Sequence, residues 1–537
     1  MSFNIADLFE AAVDAFPERE YLVANGKRRT YAEMEDRANR LAHKLQGLGI
    51  GPGDHVGIYA YNSVEWVEAL WAVFKLRAIW ININYRYVEE ELRYLMGNAG
   101  LKALIYAREF SDRVGTVLPD LPGLDHLIVI EDGSEEFDPR DGVLAYEEAL
   151  ASESPERDFE PRFDDDLYIL YTGGTTGMPK GVVWRHKDVV YALGGGVDPT
   201  TNTRIQEPEE FVAKGHAMTL THFPIAPLMH GATQWSVMGR SFCGDRIVLV
   251  DKFDPHTIWK LVETERANSV MITGDAMGKP LIEALSDDDV SYDHSSLFAV
   301  VSSAAIFSAP VKDEFFKKFP SLFITDAIGS SESGNNGMTM VSKDNTTMKS
   351  GPTVTILGDT VVFDEDKNFV EPGSGVIGRI ARCGDIPVGY LNDPVKTAET
   401  FFEVDGIRYV MPGDFATVEE DGSVTLLGRG SVVINSGGEK IFPEEVESAV
   451  RSHPDIYDAI VVGAADERWG QTVAAIVALR DDRTIDLAAV QEFCRNKVAG
   501  YKLPRRLFLV DAILRSPSGK PDYRWAADIV EHQTPVR

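Results

Sequence analysis

Along about the first 330 residues, short apolar runs alternate with segments whose apolar positions return every three or four residues. The runs predict strands at 55–59, 103–106, 126–130, 167–171, 246–250, 269–272, 298–301 and 322–325. Helical spacing between Tyr31 and Leu48 predicts a helix, closed by the turn from Gly49 to Gly53. Such alternation builds α/β layers, in which helices bury an apolar stripe on a sheet. From about Val354 to Leu427 the texture changes to short strands with Asp405-Gly406 and Asp421-Gly422 between them, dipeptides that favour hairpin turns. Beyond Gly428 the pattern mixes again, with helices over 443–450 and 487–498 and strands over 459–462 and 473–479. The expectation is an α/β chain with a large N-terminal domain, 1–428, and a small C-terminal one, 429–537.

Composition narrows the class of function. The 537 residues suffice for several domains or subdomains. With 44% hydrophobic and 26% charged residues, wholesale disorder is excluded. Fifty-three Lys and Arg against 84 Asp and Glu leave a formal charge of −31, which argues against nucleic acid or an anionic membrane as the main partner. Residues 64–80 come closest to a membrane span, but Glu65, Glu68, Lys75 and Arg77 interrupt them. Cys243, Cys383 and Cys494 are far apart and form no CxxC pair, so neither a disulfide framework nor a cysteine zinc site is expected. The N-terminus meets Asp7 and carries no basic segment, unlike a signal peptide. Both observations fit the cytoplasm.

The strongest local signal is Leu167-Tyr-Ile-Leu-Tyr-Thr172-Gly173-Gly174-Thr175-Thr176-Gly177-Met-Pro-Lys180-Gly181. An apolar strand enters a loop of interleaved glycines and threonines, then a lysine. Glycines let backbone N–H groups converge, hydroxyls add donors and the ammonium adds charge; together they suit phosphate oxygens. The loop is not a Walker A sequence, because Pro179 precedes Lys180 and Gly181 follows it. The plainer alternative is a flexible turn with a surface lysine.

Thr172 to Gly181 resembles the AMP-binding signature of the adenylate-forming superfamily, which holds acyl-CoA synthetases, luciferases and the adenylation domains of peptide synthetases. Further motifs follow in that superfamily's order over nearly the whole chain. The resemblance implies packed α/β subdomains plus a β-barrel in the large domain, and a small mobile α+β domain behind a hinge at about 429–431. It also implies ATP, Mg²⁺ and coenzyme A.

The remaining motifs take their roles from that resemblance. Phe223-Pro-Ile-Ala-Pro-Leu-Met-His230-Gly231 places His230 as a pocket or gating residue between nucleotide and acid, not a general base. Ser303, Ala304 and Ala305 follow a strand and match the small-residue turn on which adenine lies; close helix–sheet packing is the alternative. In Asp326-Ala-Ile-Gly-Ser-Ser331-Glu332, Glu332 would hold Mg²⁺ and Ser331 keeps the usual hydroxyl, while Ile328 replaces the usual Tyr. Asp414 would accept hydrogen bonds from the ribose hydroxyls, with Pro412 in place of Thr just before it. Arg429 would reach ribose or phosphate, and Ser431 replaces the usual hinge Asp or Lys. Gly438 is where the pantetheine arm would pass close to backbone, which demands no Cβ. Lys520, in Arg515-Ser-Pro-Ser-Gly519-Lys520-Pro521, matches the catalytic lysine; alone it reads as a solvated tail.

The implied chemistry has two halves. A carboxylate attacks the α-phosphorus of ATP, giving an acyl adenylate and pyrophosphate, and a thiol then displaces AMP. Lys520 would bridge carboxylate and phosphate as the bond forms. Rotation of the small domain would then withdraw it and present Gly438 to pantetheine. No Ser/His/Asp or Cys/His constellation is needed or found. Leu228, Met229, Trp235 and Met238 are apolar where relatives line the acyl pocket, and Gly329 with Ser302–Ala305 would leave room for bulk. The signature followed by Val-Val-Trp184-Arg-His resembles actinobacterial ligases for fatty acids and steroid side chains. The expected substrate is therefore a hydrophobic carboxylic acid. A free-standing enzyme that loads a carrier-protein thiol is the alternative, and a homo-oligomer is allowed.

Overall fold

The computed structural model describes residues 2–134, 142–173, 178–198, 201–286, 291–303, 305–343, 353–436, 439–480, 483–516 and 519–536, with backbone alone at 429 and 431. Among the described residues the strands form three sheets. One orders Gly389–Tyr390, Lys180–Arg185, Leu167–Thr172, Ile79–Asn82, His55–Tyr59, Ala103–Ala107, His126–Ile130 and Val143–Ala145 from edge to edge. A second carries a parallel run, Glu20–Ala24, Arg246–Leu249, Thr221–Pro224, Ser269–Ile272, Ala299–Ser302 and Phe323–Ser330. From there it turns antiparallel and continues through the strands between 353 and 429, the region expected to form a barrel, in an order that does not close on itself among the described residues. Ala103–Ala107, His126–Ile130 and Ser269–Ile272 are buried almost end to end, as expected of strands covered on both faces.

Helix Val64–Lys75, within the stretch that comes nearest to a membrane span by hydropathy, is a core helix buried at every position. Its charges are all paired: Glu65 with the half-exposed Lys27, Glu68 with Arg29 and Arg37, and Lys75 with the buried Glu10 and Glu35. Unpaired, such groups would be too costly to enclose. Among the described residues, no helix is long and apolar enough to cross a membrane. Helix Tyr31–Gly47 begins at a capping box, Thr30 with Glu33, and ends where the glycine turn predicts.

The third sheet belongs to the small C-terminal domain. Strand Gly470–Leu479 lies between Ile456–Asp466, antiparallel, and Arg506–Val510, parallel. Helices Pro443–Arg451 and Leu487–Cys494 pack with their own apolar cluster. The second helix stops at Cys494 rather than at 498, and strand Ile456–Asp466 is longer than its apolar centre suggests, because a two-stranded ladder carries polar residues at its ends. Strand Phe323–Ser330 likewise extends past the expected 325, paired with Gly334–Val341. The Asp326–Ser330 motif is therefore strand, and only Ser331 and Glu332 lie in the turn.

Candidate functional site

The signature loop springs from a hairpin. Strand Leu167–Thr172 buries Tyr168 to Tyr171 and pairs antiparallel with Lys180–Arg185, which sets Thr172 directly across from Lys180. Both ends of the loop are thus pinned together. Gly173 lies in open space apart from the Tyr87 hydroxyl, 3.8 Å from where a Cβ would be. Gly174, Thr175, Thr176 and Gly177 lie outside the described residues. Gly181 meets a different need: a Cβ there would stand 3.0 Å from Ile169 and from the Tyr171 ring.

Lys180 reaches Asp393 at 2.9 Å and holds its carboxyl below the usual range. Asp393 also caps helix Pro394–Thr400 by accepting from the Lys396 N–H. Three residues earlier, Tyr390 on the edge strand Gly389–Tyr390 donates its hydroxyl to Glu332 Oε1 at 3.0 Å. Its ring centroid lies 5.8 Å from Lys180 Nζ. One short segment therefore ties the signature lysine to Glu332. Motif reading missed both residues; Asp393-Pro394, a cap followed by proline at the first helical position, is the trace they leave.

The Glu332 turn is fixed from two sides. Ser330 Oγ accepts the backbone N–H groups of Glu332 and Ser333 at 3.3 and 3.1 Å. The buried Trp184 indole donates to the Ser331 carbonyl at 3.0 Å. Asp326 is occupied in a buried ion pair with Lys312. Ile328 packs in an apolar cluster with Val354 and Val424. Gly329 does not open space for substrate as expected. The room a Cβ would take is filled by the Gly334 carbonyl, 2.1 Å away, so this glycine serves the close approach of two strands.

Three neighbouring parallel strands, Thr221–Pro224, Ser269–Ile272 and Ala299–Ser302, end together. Beyond their C-terminal ends come the segment to His230, the Thr273-Gly274 turn and Ser303. Ligands of α/β sheets collect at such ends. His230 Nε2, Thr273 Oγ1 and Ser303 Oγ are enclosed there and have no hydrogen-bond partner among the described residues. Enclosed polar atoms are nearly always satisfied, so these three at the strand ends are candidates to contact a ligand. Burial pushes the His230 pKa down to about 3, and the charges of Lys520 and Arg86 push the same way. The imidazole is neutral at working pH and too weak a base to take a proton there. Ala305 donates its N–H to the Ser303 carbonyl at 2.8 Å, and Ala304 lies outside the described residues.

Asn82 went unnoticed in the sequence, yet it joins the two halves of this site. It donates to the carbonyls of Tyr171 at 3.0 Å and Met229 at 2.7 Å, and accepts from the Tyr171 N–H at 2.8 Å. The strand entering the signature loop and the segment entering His230 are thereby held in one register. Leu228, Trp235 and Met238 belong to the largest apolar cluster, and Met229 is buried too. A cleft of about 790 Å³ opens beside Pro227 and Met277, with Tyr85, Arg86, Arg113 and Lys252 on its walls.

Asp414 is buried on a hairpin, opposite Arg429 in register. The Arg429 side chain and Gly438 lie outside the described residues. Lys520 is exposed; Ser516 donates its N–H to the Lys520 carbonyl, the Lys520 N–H donates to Ser516 Oγ, and the Gly519 N–H donates to the Ser516 carbonyl. Gly519 has φ +71° and is seated on the large domain; a Cβ there would be 2.8 Å from Ala276 and 3.0 Å from the Thr273 carbonyl. The turn thus rests on one of the orphan hydroxyl residues, with its ammonium near His230. Tyr390 joins Lys180 to Glu332, Asn82 joins Tyr171 before Thr172 to Met229 before His230, and Thr273 meets Gly519 before Lys520; none of the three is singled out by the motifs.

The AMP-binding enzyme family matches residues 9–384, and the C-terminal domain of AMP-binding enzymes matches residues 445–520. A 3-oxocholest-4-en-26-oate–CoA ligase of Rhodococcus rhodochrous is 50% identical over 98% of this chain and 96% of its own length. A medium/long-chain-fatty-acid–CoA/3-oxocholest-4-en-26-oate–CoA ligase of Mycolicibacterium smegmatis is 49% identical over 99% and 97%. In three dimensions the fold is shared with the anthranilate CoA ligase AuaEII in complex with anthranoyl-AMP, at TM-score 0.84 and 22% identity over 99% of this chain and 98% of that one. ATP-bound MatB from Rhodopseudomonas palustris gives 0.82 and 23%, with 99% of each chain covered. The chain belongs to the AMP-binding enzyme family of adenylate-forming enzymes.

Proposed function

We propose that the protein is an ATP-dependent acyl-CoA ligase that activates a fatty acid or a steroid side-chain carboxylate. The observation that carries this reading is the convergence at one point of the docked Lys520 turn and the three orphaned polar atoms, in a chain half identical along its length to ligases named for those acids. The loop from Thr172 to Gly177 with Lys180 would hold the β- and γ-phosphates. Ser303 to Ala305 would take the adenine, and Asp414 with Arg429 the ribose. Lys520 would stand between acid and α-phosphate, where a single preorganised cation stabilises the charge that builds as the bond forms. Neutral His230 would wall the two ligands together without exchanging protons.

Glu332 is the residue that would hold Mg²⁺, a hard cation suited to a carboxylate and phosphate oxygens. Bound there, it would supply charge neutralisation to the departing pyrophosphate. Tyr390 would keep Glu332 aimed, and Asn82 would keep the loop and His230 in register. After adenylation the small domain, hinged at about 429–431, would swing so that Gly438 admits the pantetheine thiol. The reading includes a cytosolic setting, in keeping with the isolated cysteines and acidic surface.

The test is a panel of fatty acids, steroid side-chain acids, acetate and amino acids, scored for AMP release with and without CoA. Acyl-CoA formed with the hydrophobic acids is the expected result. AMP formed only with a phosphopantetheinyl carrier protein would replace this reading with a carrier-loading enzyme.

A further inference from the structure

Helix Asp275–Ala284 of the large domain has two faces. Met277, Leu281 and Ile282 are buried in the apolar cluster beneath, and Gly278 lies so close to Phe307 that a Cβ would be 2.7 Å from its ring. Ala276, Lys279 and Glu283 share the opposite face at spacings of three and four residues. That outward face touches the small domain at two levels. At the helix start, Ala276 and the preceding Thr273 receive Gly519 of the catalytic-lysine turn.

One turn on, Lys279 donates to the Tyr457 carbonyl and its Nζ stands 3.7 Å from the Tyr457 ring centroid. The Tyr457 hydroxyl lies 3.5 Å from Glu283, and Arg480 lies 3.6 Å from the same carboxylate. Tyr457 occupies a register shift between Ile456 and Asp458, where one strand carries an extra residue, so its carbonyl is not committed to the sheet ladder. Burial under the docked strand, with Arg480 nearby, pushes the Lys279 pKa down to about 8.

Both levels lead to the same turn. Asp458, the next residue after Tyr457, holds Arg515 through two hydrogen bonds of 2.8 Å. Arg515 in turn donates to the Gly519 carbonyl at 3.0 Å, while its own carbonyl faces Arg86 of the large domain at 3.5 Å. A continuous set of contacts runs from Lys279 through Tyr457, Asp458 and Arg515 to the residue before Lys520.

We propose that the outward face of helix Asp275–Ala284, through Lys279 and Glu283, is a docking platform that positions the Lys520 turn for acyl-adenylate formation and is vacated for thioester formation. The inference rests on the ligase reading above. Lys279 and Glu283 are positioning residues: they touch Tyr457 and Arg480, not the reacting atoms. Any domain swing that withdraws Lys520 must break these contacts, so they favour one half-reaction at the expense of the other.

The test separates the two half-reactions in the full-length enzyme. In Lys279→Ala, rapid-quench acyl-AMP formation from ATP and acid should fall by about tenfold, a loss of roughly 1.4 kcal/mol of docking. Thioester formation from supplied acyl adenylate and CoA should be unchanged or faster. Lys279→Arg, which keeps the donor and the cation over the ring, should restore adenylation to within about threefold. Hydrogen exchange over 511–523 should quicken in Lys279→Ala while strand Gly470–Leu479 keeps its protection, showing undocking with the domain folded. An unchanged acyl-AMP rate in Lys279→Ala, or equal loss of both half-reactions, would overturn the platform while leaving the ligase reading intact. A wild-type enzyme that makes no acyl-AMP would overturn the ligase reading and the platform with it.

Discussion

The part of the candidate site around the signature loop and the lysine turn are built on opposite plans. Thr172, Lys180, His230 and Glu332 hang from strand ends whose supporting residues, Asn82, Tyr171 and Trp184, are buried and cross-bonded. Lys520 stands on a separate domain that meets the large one at Gly519, Tyr457 and Arg480, and also through Arg515 to Arg86, Lys440 to Glu365 and Phe442 to Phe415. The first half is placed by the same core that keeps the protein folded. The second is placed by contacts between two domains, the smaller of which has apolar clusters of its own. In the two-step reading proposed above, that asymmetry would let one cation come and go over a fixed ligand bed.

The largest effect that would expose the asymmetry is Lys520→Ala. Acyl-AMP formation should fall by about 10²–10³, the range for removing one preorganised stabilising group, with the melting temperature unchanged. Thioester formation from presynthesised acyl adenylate should survive. If both steps fell together, Lys520 would not be the group that separates the two halves.

A substitution in the fixed half should do the reverse. Gly274 has φ +57°, and a Cβ would stand 2.3 Å from the Ile306 carbonyl. Gly274→Val adds backbone strain and a clash that the strand ends cannot relax, at a cost on the order of 3 kcal/mol. Both half-reactions should decline in step with the urea midpoint. A Gly274→Val enzyme of normal stability and skewed half-reactions would mean that the strand ends are not the rigid bed described above.

The same contrast explains what the sequence reveals. Strand positions such as His55–Tyr59, His126–Ile130 and Ser269–Ile272 match their apolar runs, because burial on both faces writes itself into composition. The motifs carried the family. Tyr390, Asn82 and Thr273 escaped because each acts through a hydrogen bond or contact to a backbone or side chain distant in sequence, and a lone polar residue at the end of an apolar run has no periodicity. Lys279 and Tyr457 escaped for a stronger reason: their pairing exists only in the docked arrangement of two domains. Gly329 shows the opposite error, since a missing side chain reads as space until the partner strand is seen filling it.

Acid should act on the fixed half first. Burial holds His186, His222 and His230 at pKa values of about 3, against an ordinary value of 6.5. Unfolded, each binds a proton below about 6.5 that the native state refuses until about 3, so the unfolded state binds more protons in that window. Stability from these groups is therefore fully present above about pH 6.5 and declines as pH falls toward 3. Asp188, raised to about 6 by burial, titrates in the opposite sense, so the informative quantity is a difference between variants. His222→Gln, which can still bond Ser269 and Ser236, should show a shallower loss of urea stability between pH 7 and pH 4 than the wild type. Parallel curves would mean that His222 takes up its proton while folded.

The smallest expected effect lies where the fixed half meets solvent. Lys180 and Asp393 are each about one-third exposed, and such pairs contribute only about 0–1 kcal/mol. If Lys180 holds phosphate as proposed, Asp393 would compete for its ammonium, and the pair would bear on nucleotide binding more than on folding. Asp393→Asn preserves a good helix cap for Pro394–Thr400 and removes only the charge. Stability should be unchanged, and KM for ATP should drop by up to about fivefold, the equivalent of an exposed ion pair no longer broken on binding. The acyl-CoA step measured from presynthesised adenylate should not move, because no triphosphate is bound then. A raised KM would assign Asp393 the opposite part, that of holding Lys180 in the pose that phosphate requires, and would extend the preorganised half of the site out to its edge strand.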